Sequence, residues 1–264
     1  MSRKSIDGNV RRRLKRSAGV AVLAAVLAGG AATAPAQADF QIGVYGGWSK
    51  TFDDDMSFNQ PNGTNLTLHD LSFDDDSFTF DGGPPYYGLR AIYWRDSNWG
   101  FMVDYTHSKV NPDLNQVATI TGTRDGVPVS GQQPLSNTVS LLEFTDGLNL
   151  LTFNVLYRTD RGRYRPYGGV GVGLSIPNVE FQRANGGPET NEYQITGVAV
   201  AGLVGLEMDI NDRFALFGEY KLTFSQNEAD LKGGGTLEAD LWTNHVIFGV
   251  AYKFGAHRAA DSYK

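Results

Sequence analysis

Eight short stretches of apolar–polar alternation recur along this chain, joined in turn by long and short connections. Alternation with period two marks a strand that has one apolar and one polar face. No stretch outside the N-terminal leader approaches the ~18 apolar residues of a membrane helix. A strand set of this kind can enter lipid in one way only. A bilayer offers no water to unpaired backbone groups, so the sheet must close on itself.

The first segment, residues 39–50, puts Phe40, Ile42, Val44 and Trp48 on one face and Gln41, Gly43, Tyr45 and Ser49 on the other. The second (84–95) sets Leu89, Ala91 and Tyr93 against Arg90, and the third (99–110) sets Trp99, Phe101, Val103 and Tyr105 against Asp104, Thr106 and Ser108. The fourth spans about 143–158 and the fifth 164–177, where Val170, Val172, Leu174 and Ile176 alternate with Gly169, Gly171, Gly173 and Ser175. The sixth (192–208), seventh (214–225) and eighth (239–254) repeat the pattern, the last ending on Val246, Phe248, Val250, Tyr252 and Phe254.

Connections 96–98, 159–163 and 209–213 are short, whereas 51–83, 111–142, 178–191 and 226–238 are long. Short turns on one side and long loops on the other are the habit of outer-membrane barrels, whose turns are periplasmic and whose loops are external. Aromatic residues gather at segment ends (Trp48, Trp94, Trp99, Tyr157, Tyr164, Trp242, Tyr252, Phe254), as interfacial girdles require. The expected fold is an all-β, eight-stranded, antiparallel up-and-down transmembrane barrel over residues 39–254. A secreted lipocalin-like barrel is the alternative, with apolar residues inside. Glycine-lined faces opposite bulky ones favour the membrane form, because a ring of this size leaves little interior room.

The leader fits that destination. Arg3, Lys4, Arg11, Arg12, Arg13, Lys15 and Arg16 precede an apolar run, Ala18 to Ala28, and then Ala36-Gln37-Ala38. This is the layout of a secretory signal over residues 1–38, with cleavage expected after Ala38. The leader holds seven of the chain's 23 basic residues and one of its 29 acidic ones, so the remainder is more acidic than the overall charge of −6. Such a balance argues against a nucleic-acid partner. The absence of cysteine excludes disulfides, thiolate metal sites and cysteine nucleophiles.

An interior of this size is packed, so general porin activity is not expected, and function should lie on external loops or the outer rim. Arg90, Asp104 and Glu207 read as members of an internal ion-pair network. Glu219 and Lys221, placed near the external end of the seventh segment, stand open between structural and catalytic roles. The 51–83 connection carries Asp53, Asp54, Asp55, Asp70, Asp74, Asp75, Asp76 and Asp81 with no Lys or Arg. Solvated surface charge explains it better than a cation site, since neither triplet has the spacing of a calcium loop. His69 and His257 carry no evident role. His107 and Ser108 are adjacent on one strand and point to opposite faces, and no Gly-x-Ser-x-Gly elbow is present, so a serine hydrolase is disfavoured. Glu143, Asp146, Glu228, Asp230, Glu238 and Asp240 are expected to converge above the barrel with His107 and Lys109. Oxygen ligands with an imidazole would suit a divalent cation.

PPYYGLRAIYWR (84–95), DYTHSKV (104–110), LEFTDGLNLLTFNVLYR (142–158), RPYGGVGVGLSIPNVE (165–180) and FGEYKLTFSQNEADLKGGGTLEADLWTN (217–244) resemble the outer-membrane lipid A oxidases of rhizobia and their relatives. The sharpest blocks are LEFTDG (142–147) and the stretch ending GGGTLEADLWTN. The resemblance implies an enzyme that oxidises the proximal glucosamine of lipid A to 2-aminogluconate, with dioxygen as oxidant, hydrogen peroxide as by-product and dependence on a divalent cation. It carries over no residue roles. Two features depart from the family: GTRDGVPVSGQQPLSN (122–137) is inserted in the second long connection, and GAHRAADSYK (255–264) follows the aromatic strand end as a short periplasmic tail.

The candidate catalytic residues are therefore His107, Asp146, Glu219 and Lys221, with His107 or Asp146 handling protons or metal and Lys221 contacting phosphate. Glu143, Asp230 and Asp240 are the candidate metal ligands. The expected partners are lipid A or lipopolysaccharide, the Gram-negative outer membrane, and the barrel assembly machinery during biogenesis, with the chain acting as a monomer. A non-enzymatic surface barrel of porin or adhesin type is the main alternative, and a lipid A deacylase or acyltransferase is a third.

Overall fold

A computed structural model describes residues 39–74, 86–95, 98–159 and 162–254. The expected signal, the C-terminal tail with His257, and Asp75, Asp76 and Asp81 lie outside the described residues. In chain order the first strands are β1 (Asp39–Thr51), β2 (Asp54–Gln60), β3 (Thr64–Leu71), β4 (Phe73–Asp74), β5 (Tyr87–Trp94), β6 (Trp99–Pro112), β7 (Val117–Arg124) and β8 (Val127–Pro134). After a short 3-10 turn, Leu135–Asn137, follow β9 (Val139–Arg158), β10 (Tyr164–Ser175), β11 (Asn178–Arg183) and β12 (Thr190–Tyr193). The last are β13 (Gly197–Asp209), β14 (Phe214–Asp230) and β15 (Thr236–Phe254).

Strands β1, β5, β6, β9, β10, β13, β14 and β15 pair in that order, and β15 returns to pair with β1 from Phe40↔Phe254 to Thr51↔Thr243. Every ladder in this ring is antiparallel, and the return pairing removes the free edge that an open sheet would present. Side chains sort as the alternation requires. Val44, Phe153, Val170, Val204 and Phe248 are exposed on the outside, while Gln41, Asp104, Asn154, Glu207 and Lys221 are buried within.

The expected loops are largely strand. Among the described residues the chain forms fifteen strands where the alternation suggested eight segments, and the additional ones fill the long connections. β2 pairs with the outer end of β15, β3 with β2, β7 with β3, and β8 with β7. β11 continues the ladder along β9 and pairs with β12. The inserted 122–137 segment is most of the β7–β8 hairpin, turned on Asp125-Gly126 with positive φ at both residues, as a two-residue type I′ turn demands. Arg183 on β11 donates to Asp125 Oδ2 at 2.9 Å and ties that turn to the rest of the extension.

The reason for this order is an apolar core above the ring. Met56 and Phe58 from β2, Leu66 and Leu68 from β3, Ile120 from β7, Phe144 and Leu148 from β9, Phe181 from β11 and Leu241 from β15 belong to one buried cluster. The rings of Phe58 and Phe181 meet at 4.9 Å. Each buried Leu or Phe contributes about 1.5–3 kcal/mol, which binds the external strands into a cap over the lumen. Phe58→Ala is expected to cost about 3–5 kcal/mol of the cap's local stability. The effect should appear as faster proteolysis within β2 and β3, with the ring's heat-modifiable gel mobility unchanged.

Bulky residues also line part of the ring's interior. Ile92, Trp94, Met102, Leu156, Tyr167 and Leu203 form a second buried cluster. Trp94, expected at the girdle, therefore points inward, with the Arg158 guanidinium 4.1 Å from its ring centroid. Trp48 and Trp242 are exposed toward the external end, and Trp99, Tyr157, Tyr164 and Phe254 toward the short-turn end, so these aromatics do form two belts.

Candidate functional site

Two groups of polar side chains arise from the strands, one inside the ring and one on its outer surface. In the interior, Lys221 Nζ donates to Asp104 Oδ2 at 2.7 Å, Thr106 Oγ1 at 2.6 Å and Tyr45 Oη at 3.2 Å. Arg90 donates to Glu219 Oε2 at 2.9 Å, and Tyr167 Oη donates to the same oxygen at 2.7 Å. The Arg90 guanidinium lies 3.3 Å from the Phe217 ring centroid. Close approach of these large groups needs bare backbone: a Cβ on Gly88 would fall 2.0 Å from the Tyr45 ring. Nearer the short-turn end, Arg165 pairs with Glu207 at 2.8 Å and with Asp209, and Lys253 donates to Asp209 at 2.8 Å. His245 is buried between Tyr86 Oη at 3.1 Å and Thr223 Oγ1 at 2.9 Å.

This arrangement corrects the expectation for Glu219 and Lys221. β14 begins at Phe214 and runs to Asp230, so both residues lie deep in the ring rather than at its external end. All three ammonium hydrogens of Lys221 are committed to partners inside the lumen, and none is left for a lipid phosphate. Arg90, Asp104 and Glu207 occupy the internal ion-pair network that the sequence suggested.

The second group lies on the outward face where β5, β6 and β9 meet. β6 and β9 pair regularly up to Ser108↔Leu148, and pairing resumes at Val110↔Phe144. Lys109 alone therefore spans Thr145, Asp146 and Gly147, a bulge that pushes three residues of β9 out of register. Gly147 adopts φ +113°, and a Cβ there would fall 2.4 Å from His107 Nδ1 and Cε1. Only glycine fits against the imidazole in that conformation. His107 stacks on Tyr87 with centroids 4.6 Å apart, and its Nδ1 lies 2.8 Å from Asn149 Oδ1. Tyr105 Oη donates to that same oxygen at 2.6 Å. Lys109 and His107 are both buried, although their row on β6 faces outward.

The structure thus brings His107, Lys109 and the backbone of Asp146 together; the Asp146 side chain lies outside the described residues. Glu143 sits beyond the bulge, directly opposite Glu180 of β11. Asp230 and Asp240 are not part of this group. They are exposed on the β14–β15 hairpin, Asp230 opposite Thr236 and Asp240 opposite Gln226, four rungs or about 13 Å apart along the ladder. Among the described residues no three His, Asp or Glu groups converge in a way that holds a metal, so the expected meeting of Glu143, Asp230 and Asp240 does not occur. Ser108 donates to the Leu148 carbonyl at 3.3 Å on the opposite face from His107, which leaves no hydrolase pair.

Sequence reasoning passed over Asn149, Tyr87, Tyr105 and Glu180. Asn149 was detectable as the polar member of an outward row that continues through Leu151, Phe153, Val155 and Tyr157. Chemically, the group offers an imidazole held rigidly between a ring and a carboxamide, two residues along the same row from the buried Lys109.

Comparison with known proteins agrees with this architecture. The family model for the outer membrane protein beta-barrel domain matches residues 21–254. No curated protein matches the chain. Among solved structures, OprG of Pseudomonas aeruginosa is 16% identical with a TM-score of 0.44, covering 83% of this chain and 96% of that one. Neisserial surface protein A is 13% identical with a TM-score of 0.42, covering 83% and 97%. Ail of Yersinia pestis is 12% identical with a TM-score of 0.40, covering 83% and 99%. With the family model spanning nearly all of the described chain, this protein belongs to the outer membrane protein β-barrel domain family and resides in the outer membrane of a Gram-negative bacterium.

Proposed function

We propose that the eight strands of the closed ring cross the outer membrane, and that the β6–β9 bulge on its lipid-facing surface oxidises the proximal glucosamine of lipid A to 2-aminogluconate. The observation that carries this reading is the coincidence of His107, Lys109 and the Asp146 backbone at one outward-facing bulge. LEFTDG (142–147), a block central to the resemblance to lipid A oxidases, supplies that bulge. Bulges re-aim side chains and recur beside active sites. Lipid A lies in the outer leaflet, so a substrate sugar reaches this point without entering the lumen, which the apolar cap and the ion pairs fill.

The chemistry balances with dioxygen as co-substrate. A sugar hemiacetal carbon loses two electrons and two protons, giving a lactone, and dioxygen takes them up as hydrogen peroxide. Water then opens the lactone to the acid, for a net gain of one oxygen atom. His107 and Asp146 are assigned to proton handling, with Lys109 supplying positive charge beside them. The divalent cation implied by the resemblance finds no three-ligand cluster among the described residues, and no step is routed through it. Residues 1–38 are proposed to be removed on export.

The sealed and internally paired ring suits a non-enzymatic surface barrel equally well, so the test must read chemistry. Lipid A from cells with and without this chain, compared by mass spectrometry, should differ by about sixteen mass units, the weight of one oxygen. An unchanged lipid A profile would favour the non-enzymatic barrel, and free fatty acid would point to a deacylase.

A further inference from the structure

His107 is held by a side chain whose own orientation is fixed from elsewhere. Asn149 Nδ2 lies 3.3 Å from the Gly147 carbonyl and 3.2 Å from the Ile176 carbonyl. Backbone carbonyls only accept hydrogen bonds, so the amide nitrogen must be the end that faces them. The other end, Oδ1, then faces Tyr105 Oη at 2.6 Å and His107 Nδ1 at 2.8 Å. A carboxamide oxygen also only accepts. For the contact to be a hydrogen bond, His107 must carry its proton on Nδ1.

We infer that Asn149 is a positioning residue that fixes His107 as the Nδ1–H tautomer and so leaves the imidazole lone pair on Nε2. An unconstrained neutral imidazole favours the opposite form, with the proton on Nε2. The carboxamide therefore imposes a choice, in the way that an outer partner of a catalytic or ligating histidine orients it. Two neighbours pack closely on the ring. Tyr87 stacks on one side at 4.6 Å, and the Gly147 backbone leaves no room even for a methyl group beside Nδ1. Asn149 and His107 are both buried, so water does not compete for the bond.

The significance of this tautomer for catalysis rests on the lipid A oxidation reading: the lone pair is then on Nε2, which is enclosed in this structure, so a sugar reaches it only when the surrounding side chains move. The tautomer itself does not depend on any substrate. It is measured by nitrogen NMR on the full chain labelled with ¹⁵N-histidine in detergent micelles without lipid A, at about pH 9, above the ordinary imidazole range. Wild-type His107 should show a protonated Nδ1 and a bare Nε2. Asn149→Asp, which keeps an acceptor, should preserve that pattern, and Asn149→Leu should shift the proton to Nε2 while the barrel retains its folded gel mobility. The Leu variant should also oxidise lipid A about 10–100-fold more slowly, as loss of an orienting partner typically does. A wild-type His107 protonated on Nε2, or a folded Leu variant with an unchanged tautomer, overturns the inference. If the tautomer is found as expected and lipid A is left unmodified, the proposed function fails while the positioning of His107 by Asn149 stands.

Discussion

Replacing Lys221 by methionine lowers the stability of the barrel by about 3–5 kcal/mol, the usual cost of stranding one partner of a buried ion pair. Lys221 and Asp104 side chains are 1% and 2% exposed, and the ammonium also holds Tyr45 and Thr106. Without it, the Asp104 carboxyl keeps only Tyr45 Oη at 2.9 Å and Thr106 Oγ1 at 3.3 Å as donors. Two neutral donors do not offset the desolvation of a carboxylate. The double variant Lys221→Met with Asp104→Leu should recover most of the loss, because two apolar groups in that space need no partner. Urea unfolding in lipid vesicles reads both. A single variant as stable as wild type would mean that water reaches the lumen and that the cap is open.

Replacing His107 by alanine lowers lipid A oxidation about 10²–10⁴-fold, the range that a positioned acid–base group contributes. The loss should appear in lipid A masses from cells that express the variant at wild-type level. The barrel should stay folded, since the Arg90–Glu219 and Lys221–Asp104 pairs and the apolar cap remain in place. The two predictions separate structure from chemistry. Lys221→Met strikes stability and touches oxidation only through it, whereas His107→Ala does the reverse. A His107→Ala protein that oxidises lipid A at the wild-type rate would remove the bulge from the mechanism.

The ring of antiparallel strands was legible because its alternation carries a physical contrast at every residue. Val170, Val172 and Leu174 are exposed, and Gly171 and Gly173 face the opposite side beside Asn154 and Thr152. Burial of Arg90, Asp104 and Glu207 followed from the same contrast. The cap was not legible for an instructive reason. Met56 and Phe58, Leu66 and Leu68, and Ala118 and Ile120 alternate just as cleanly. The first two pairs lie in the aspartate-rich 51–83 connection, however, where charge suggested a solvated loop. Charge on one face of a strand says nothing of the other, and here the apolar face found a core. Trp94 was misplaced because a tryptophan at a strand end suits a girdle equally well; only the parity of Ile92 and Trp94 with Arg90 marks it as inward.

The bulge was hidden by arithmetic. It adds two residues to β9 relative to β6, an even number, so Leu142 and Phe144 stay on the same face as Leu148 and Leu150. The alternation runs through without a break. Gly147 was the available signal, since a glycine within a strand pattern often marks a bulge or a close backbone approach. The candidate carboxylates failed for a related reason. Asp230 and Asp240 belong to one hairpin, but strand pairing fixes their separation by register, and sequence proximity across a turn does not bring them together.

The most direct test of the account uses purified, folded protein in detergent with lipid A under air, following hydrogen peroxide and lipid mass in the same sample. The account predicts peroxide and a product heavier by about sixteen mass units in equal amounts, both lost in the His107→Ala protein and both retained in the Lys221→Met, Asp104→Leu protein. Neither peroxide nor a mass change from wild-type protein, or the same yield from the His107→Ala protein, would contradict it.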